Sequence, residues 1–191
     1  MKCSNLGIFS EVKIIQNIVH SDDRGFFLES FNKKKFFNIF PQEINFVQDN
    51  HSRSRKGVLR GLHFQLNPNA QAKLLRVARG AILDVVVDLR VKSKNFGKWE
   101  SLEINENNSL MLFIPEGFAH GFLAIENDTD VIYKTNNFYA PNSDGTLVWN
   151  DPLININWGF DDYKITNPII SNKDKAAMTL EQLSEKNLLF P

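Results

Sequence analysis

The feature that most constrains this chain is a series of short β-forming runs, each ended by turn residues, along most of its 191 residues. Strands repeating about every 8–12 residues are typical of sandwiches and barrels. The predicted strands cover residues 12–18, 25–30, 45–52, 58–65, 73–78, 81–89, 99–104, 109–114, 120–124, 130–137 and 145–149. Helices are predicted at 33–40 and, as a C-terminal tail, at about 173–189. We therefore expect a mostly β fold, either a sandwich or a barrel.

Length and composition limit the organisation and the partners. Without repeats or linker-like stretches, residues 1–191 are predicted to form one domain with its core at about 12–174. The single cysteine, Cys3, fits a reducing, cytoplasmic compartment. Twenty-two basic residues balance 22 acidic ones, which argues against nucleic-acid binding. No apolar run approaches the roughly 20 residues of a membrane span, so we expect no membrane partner.

Alternation of side chains along the strands predicts that several polar groups share one face of the sheet. Gln48 and Asn50 lie on one face, and Asp84 lies opposite the apolar row at 83, 85 and 87. Strict alternation puts Arg60 and His63 on opposite faces, unless a bulge at residue 61 brings them together. A barrel with such a polar interior is expected to hold a ligand.

Four histidines are the first candidates for acid–base chemistry, because imidazole titrates near neutral pH. His20 precedes a turn and is interpreted as a loop residue, and His51 ends a strand as a surface residue. His63 and His120 lie in apolar strands, where each is either a hydrogen-bonded core histidine or a catalytic group.

A metal site is a poor interpretation of these histidines. The stretch 115–120 (PEGFAH) resembles the second half of the cupin signature, but the His-x-His pair of the first half is absent. One histidine on each strand is too few for zinc or iron, which take three or four ligands. We therefore expect no metal, and a site that relies on fixed cations and hydrogen bonds.

Two local interpretations stay open at this point. Lys73 is either a cation near a histidine or a strand-edge lysine that limits aggregation. Ser171 and Asp174 have the spacing of a capping pair that begins the last helix, which requires no catalytic role. The candidate cations are Arg24, Arg60, Lys73 and Arg76.

Read together, eight segments resemble the dTDP-4-dehydrorhamnose 3,5-epimerases. They are 23–29 (DRGFFLE), 47–52 (VQDNHS), 57–65 (GVLRGLHFQ), 71–73 (QAK), 84–88 (DVVVD), 114–122 (IPEGFAHGF), 133–134 (YK) and 149–152 (WNDP). The resemblance implies a cupin-type jelly roll (a double-stranded β-helix barrel), usually a homodimer, and a reaction without cofactor. It also implies an isomerase that acts on a nucleotide-linked 4-keto-6-deoxy sugar in dTDP-L-rhamnose biosynthesis.

The resemblance also assigns chemical roles to five residues. His63 matches the general base, and Asp174 matches the aspartate that orients and charges it. Tyr133 matches the acid on the opposite face of the sugar. Lys73 and Arg60 match the positions near the developing oxyanion, where fixed positive charge stabilises an enolate.

Nine further residues match binding positions or are candidates for them. Arg24 and Glu29 match contacts that come from the neighbouring subunit in the family. Asp144 departs from the glutamate that is usual there, which shortens the side chain by one methylene. The nine are Arg24, Phe27, Glu29, Gln48, Asn50, His120, Tyr139, Asp144 and Lys173.

Three functions are weighed on this basis. The first is epimerisation at both C3 and C5 of dTDP-4-dehydro-6-deoxy-D-glucose. The second is a single-site epimerase that acts on another nucleotide-linked 4-keto-deoxysugar. The third, a non-catalytic sugar-nucleotide binding module, is disfavoured because His63 and Tyr133 are both present.

Overall fold

The computed structural model describes residues 1–37, 39–40 and 44–191, and most of its regular structure is β-strand. The strands are β1 (Lys2–Leu6), β2 (Phe9–Gln16), β3 (Val19–Asp22), β4 (Gly25–Leu28), β5 (Gln48–Ser54), β6 (Val58–Gln65), β7 (Lys73–Arg79), β8 (Ala81–Asp88), β9 (Trp99–Asn105), β10 (Leu110–Ile114), β11 (Phe118–Ala124), β12 (Thr129–Thr135), β13 (Asp144–Thr146) and β14 (Ile169–Ile170). The helices are α1 (Lys33–Phe36), α2 (Asn172–Lys175) and α3 (Leu180–Glu185), and one 3₁₀ turn covers Pro141–Ser143. Within the described part of the chain, no helix is long and apolar enough to span a membrane.

Two six-stranded sheets form the jelly roll. The first has the order β1-β2-β10-β7-β12-β5. The second has the order β13-β6-β11-β8-β9, with the short strand β14 parallel to β6. The other pairings within the two sheets are antiparallel. The hairpin β3–β4 forms a two-stranded sheet of its own, so the fold class predicted from the sequence is confirmed.

Three apolar layers form the core, one between the two sheets and one on the outer face of each. The layer between them packs residues such as Leu75 and Val131 of the first sheet with Val86 and Phe122 of the second. The outer face of the second sheet packs against the C-terminal part of the chain. The region around α1 covers part of the outer face of the first sheet. Buried residues therefore also lie outside the expected 12–174 core, and the single-domain organisation stays a prediction.

The expected helical tail at 173–189 is wrong as one continuous helix. Met178 forms a β-bridge with Leu147, which interrupts the helical backbone. A new helix then begins after Thr179, whose side chain forms a capping box with Gln182. The tail is therefore two short helices, α2 and α3, joined by an extended segment.

Other element boundaries differ from those expected. Strands β1, β3 and β14 were not predicted, and the strand predicted at 145–149 is only Asp144–Thr146. The helix expected at 33–40 is the single turn Lys33–Phe36, with Asn38 outside the described residues. Asn32 caps this turn through its side chain, and Phe36 anchors it in the core.

A bulge in β6 decides the question that alternation left open. His63 pairs with His120, but Arg60 pairs with Phe122, so three steps along β6 match two along β11. Gly61 lies at this irregularity with φ of +109°. The extra residue brings the side chains of Arg60 and His63 to the same cavity.

We predict that Gly61→Ala destabilises the protein by about 2–4 kcal/mol. An added Cβ would lie 2.7 Å from the Gly121 Cα and 2.7 Å from the His120 carbonyl oxygen, in a backbone region that disfavours side chains. Urea unfolding of the two proteins gives this difference in the free energy of unfolding.

Gly25→Ala is the matched control for this experiment. Gly25 has φ of +124°, but nothing lies within 4 Å of its added Cβ, so it tests backbone strain without the clash. If both variants lose the same stability, close packing of β6 on β11 is not the cause.

Candidate active site

A polar cavity of about 430 Å³ contains most of the residues selected from the sequence. Its walls come from strands of both sheets and from the segments that follow β12 and β14. The lining residues are Gln48, Asn50, Ser52, Arg60, His63, Phe64, Gln65, Gln71, Lys73, His120, Gly121, Phe122, Tyr133, Tyr139, Asp144 and Lys173.

His63 is held by a carboxylate from the other end of the chain. Its Nε2 lies 2.6 Å from Asp174 Oδ1. Asp174 is buried in α2, where its backbone N–H donates to the Ser171 hydroxyl. Ser171 therefore caps the helix as predicted, and Asp174 also orients His63.

Asp174 stays negatively charged despite its burial. Burial alone raises its pKa, but the hydrogen bond and charge of His63, with donors from Gly61 and Ser171, lower the pKa below its ordinary value. A carboxylate at this position fixes the orientation of the imidazole and leaves its other ring nitrogen free. His63 can therefore accept a proton from a ligand in the cavity.

A second histidine–aspartate pair lies deeper in the barrel. His120 Nε2 is 2.7 Å from Asp84 Oδ2, and Asp84 is fully buried. Burial raises the pKa of Asp84, although the charge and hydrogen bond of His120 and the charge of Lys73 oppose the rise. Asp84 Oδ1 makes no hydrogen bond with the described residues. The predicted face of Asp84, opposite the apolar row of β8, is confirmed.

Lys73 is a buried cation and not a strand-edge residue. It begins β7, which lies between β10 and β12, so the aggregation-limiting interpretation is wrong. Its Nζ is 3.4 Å from the His63 carbonyl oxygen. Burial lowers its pKa to about 8, against the opposing charges of Asp144 and Asp84. Near neutral pH it is therefore a charged group without an ion-pair partner in direct contact among the described residues.

Arg60 and Tyr133 occupy other parts of the wall. Arg60 donates to the Ser54 hydroxyl at 3.1 Å and to the Arg53 carbonyl at 3.2 Å, which fixes its guanidinium. Burial raises the pKa of Tyr133, with a smaller opposing effect of the Arg60 charge, so the phenol keeps its proton at neutral pH. Arg76, the other candidate cation of this region, does not line the cavity.

Polar residues also line another part of the cavity. Lys173 forms an ion pair with Asp144, and the Tyr139 hydroxyl lies 3.4 Å from the same carboxylate oxygen. Gln48 accepts a hydrogen bond from the Tyr139 backbone N–H and donates to Asn50. These five residues provide donors and acceptors for a polar ligand.

Four predicted site residues do not line the cavity: Asp174 lies behind His63, and the other three lie in or next to an exposed hairpin. Arg24 and Phe27 belong to the exposed β3–β4 hairpin, and Glu29 follows it. Arg24 pairs with Asp22, and Glu29 pairs with Lys35, so within one chain neither residue contacts the cavity. Phe27 is 70% exposed.

Sequence reasoning missed several lining residues. Ser52 continues the inward row of Gln48 and Asn50, so alternation alone could have found it. Alternation from His63 and His120 likewise points to Gln65 and Phe122, whereas Phe64 and Gln71 gave no such signal. Within the described ranges, no group of three histidine, cysteine, aspartate or glutamate residues is arranged to hold a metal.

This geometry defines a class of protein: a jelly-roll barrel with a paired histidine, a phenol and fixed cations, arranged for proton transfer on an anionic ligand. Comparison with known proteins identifies the family. The dTDP-4-dehydrorhamnose 3,5-epimerase family model matches residues 8–182. The chain therefore belongs to this family.

Individual relatives agree with this assignment. The chain is 46% identical over 172 residues to the dTDP-4-dehydrorhamnose 3,5-epimerase of Salmonella typhimurium, covering 90% of this chain and 92% of that protein. The Legionella pneumophila dTDP-6-deoxy-D-glucose-3,5-epimerase was solved with dTDP-4-keto-L-rhamnose and superposes with a TM-score of 0.92 at 39% identity. The superposition covers 99% of this chain and 97% of that protein. A 3'-monoepimerase from Streptomyces bikiniensis, solved with dTDP-quinovose, superposes with a TM-score of 0.90 at 31% identity. The superposition covers 97% of this chain and 92% of that protein.

We predict that Lys73→Met stabilises the protein at pH 7 by about 1–3 kcal/mol, because methionine removes a buried charge and keeps most of the volume. The folded-state pKa of about 8 lies below the ordinary 10.5, so the destabilisation by Lys73 is complete below pH 8. It decreases as the pH rises from 8 towards 10.5.

Melting temperatures of both proteins between pH 6.5 and 10.5 measure this difference. The advantage of the methionine variant should be largest at the acidic end and shrink at the alkaline end. An advantage that grows with pH, or a variant less stable throughout, contradicts the assignment of Lys73 as a desolvated cation.

Proposed function

We propose that the chain inverts C3 and C5 of dTDP-4-dehydro-6-deoxy-D-glucose, giving dTDP-4-dehydro-L-rhamnose for deoxysugar biosynthesis. Its family assignment makes it an isomerase. The observation that carries the proposal is one cavity lined by His63, Tyr133 and the buried cation Lys73, with Asp174 hydrogen-bonded to His63 from behind. These groups are what an epimerisation through an enolate requires.

Each inversion begins with removal of a proton next to the C4 carbonyl. His63 Nε2 is bonded to Asp174, so Nδ1 is the nitrogen left to accept the proton. The electron pair of the C–H bond then forms the enolate double bond, and the carbonyl π electrons move to the oxygen. Lys73 and Arg60 stabilise the resulting negative charge.

Inversion is completed by return of a proton from the opposite face. Tyr133 gives its hydroxyl proton to the carbon, the enolate reverts to the ketone, and exchange with solvent restores both residues. No electrons are gained or lost overall, so the scheme requires no redox cofactor. Protonated Tyr133 fits this role, because its pKa is raised by burial.

The nucleotide part of the substrate provides much of the binding energy in this scheme. Its diphosphate interacts with the partly exposed cation of the cavity, Lys173. Gln48, Asn50 and His120 bind polar groups of the substrate, and Tyr139 stacks on the base, as exposed aromatic rings commonly do with nucleobases. Asp144 contributes a carboxylate at the same end of the cavity.

Incubation of enzyme and substrate in heavy water tests the function directly. We expect deuterium at both C3 and C5, with the product configuration read by NMR. Label at one carbon only would replace the proposal with a single-site epimerase, the activity named for the Streptomyces relative. Label at neither carbon contradicts epimerisation.

Two variants in the same experiment assign the roles. His63→Ala should lower exchange at both carbons by at least 10²-fold, because the base is lost. Tyr133→Phe should retain proton removal but lose delivery of the new proton, so exchange continues while inversion falls. Exchange by His63→Ala at nearly the wild-type rate would overturn the base assignment.

We also propose that the working unit is a homodimer in which the β3–β4 hairpin reaches the partner's cavity. The hairpin is exposed, and Phe26 and Phe27 are both 70% exposed. Apolar surface of this kind is typical of an interface between chains. The arrangement would bring Arg24, Phe27 and Glu29 to the site. Cytoplasmic location stays a prediction from the single cysteine.

Subunit complementation tests the shared site. Arg24→Ala and His63→Ala should each be impaired alone. Random mixing should restore about a quarter of the wild-type sites, because half the dimers are mixed and each has one intact site. No recovery, although mixed dimers are detected by a tag on one subunit, contradicts a hairpin supplied in trans.

A further inference from the structure

The ion pair between Lys173 and Asp144 is an unexpected feature of a cavity proposed to bind a diphosphate. Of the described residues that line the cavity, Asp144 is the one with a carboxylate. A fixed negative charge repels a diphosphate, and the ion pair also occupies a lysine that could bind it. The presence of Asp144 therefore requires an explanation.

The fold brings the two residues together along the edge of one strand. Asp144 begins β13, which pairs with the end of β6 at Gln65. Lys173 follows β14, which pairs with the beginning of the same strand. Since β13 and β14 both pair with β6, the sheet fixes the backbone positions from which the two side chains meet.

The two members of the Lys173–Asp144 ion pair differ in exposure. The Asp144 side chain is 16% exposed and held by the sheet, whereas the Lys173 side chain is 53% exposed. The hydroxyl of Tyr139 also approaches the Asp144 carboxylate. Asp144 is therefore the fixed member of the pair, and Lys173 is the member that can move towards a ligand.

The charge of Lys173 is secure in either position. Burial by itself lowers its pKa, but the hydrogen bond and charge of Asp144, with the charges of Tyr139 and Asp174, raise the pKa above the ordinary value. The lysine is fully protonated at neutral pH and remains a cation when a phosphate group replaces Asp144 as its partner.

We propose that Lys173 exchanges partners when the nucleotide binds. Its ammonium group breaks the ion pair with Asp144 and forms one with the diphosphate of the ligand. Asp144 thus holds the lysine in position in the empty cavity and weakens binding of anions, including the nucleotide-linked product. This inference rests on the proposed function, because it assumes a nucleoside diphosphate ligand.

Titration calorimetry with dTDP tests the exchange in four proteins: wild type, Asp144→Asn, Lys173→Met and the double variant. We expect Asp144→Asn to bind dTDP about three- to tenfold more tightly, because it removes a competing carboxylate from a partly exposed ion pair. In the Lys173→Met background, the same change should give less than half of that gain in binding free energy.

Further proteins and a second probe complete the design. Asp144→Glu keeps the negative charge and should lack the gain. Asp49→Asn neutralises a carboxylate in the Asp49–Lys134 ion pair, outside the cavity, and is the matched control that should also lack it. Inorganic pyrophosphate has no base or sugar, so its affinity should rise in Asp144→Asn as that of dTDP does.

Each alternative result has a distinct meaning. Weaker dTDP binding by Asp144→Asn, with pyrophosphate unaffected, would show that Asp144 contacts the nucleoside and would overturn the exchange. An equal gain in both lysine backgrounds would indicate simple repulsion and also overturn it. Failure of the wild-type protein to bind dTDP would contradict the proposed function itself.

Discussion

The contact between His63 and Asp174 links the catalytic cavity to the closure of the fold. The two residues are separated by 111 positions in the chain, yet their side chains lie 2.6 Å apart. To reach His63, the C-terminal segment returns along β6 as the short strand β14 and then turns into α2. An unpaired buried carboxylate would be costly, so the same contact that orients the imidazole also stabilises the position of this segment.

The barrel interior combines this polar contact with an extensive apolar core. Carboxyl groups such as those of Asp84 and Asp174 lie behind histidines, where each has a hydrogen-bonding partner. Lys73 differs, because its closest described oxygen partner is a backbone carbonyl and burial lowers its pKa. Apolar layers on both faces of each sheet provide the stability that makes such a residue tolerable. Enzymes often keep destabilising groups where their chemistry needs them.

Local pattern was sufficient to predict the faces of the strands. The position of Asp84 opposite the apolar row of β8 follows from a period of two, as does the shared row of Gln48 and Asn50. The relation of Arg60 to His63 did not follow, because it depends on how β6 packs against β11 at Gly61. A bulge of this kind is a tertiary property that one strand's sequence leaves open.

The prediction of one continuous C-terminal helix was wrong for a similar physical reason. Met178 forms a β-bridge with Leu147, a residue from a distant part of the chain, and this bridge interrupts the helix. The resemblance gave the role of Asp174, which local capping chemistry alone did not require. The contact of Lys173 with Asp144 was not foreseen, because two short strands that pair with β6 create it.

The one-turn helix α2 carries both a residue proposed to bind the ligand, Lys173, and the residue that orients the proposed base, Asp174. Its consecutive residues Lys173 and Asp174 contact different partners: Lys173 contacts Asp144 in the cavity wall, and Asp174 contacts His63, the proposed general base. Ser171 caps the turn, so the two side chains share one short backbone unit. A ligand that draws Lys173 away from Asp144 acts on the same unit that fixes the imidazole. Binding by Lys173 and orientation of the base by Asp174 therefore depend on the same capped turn.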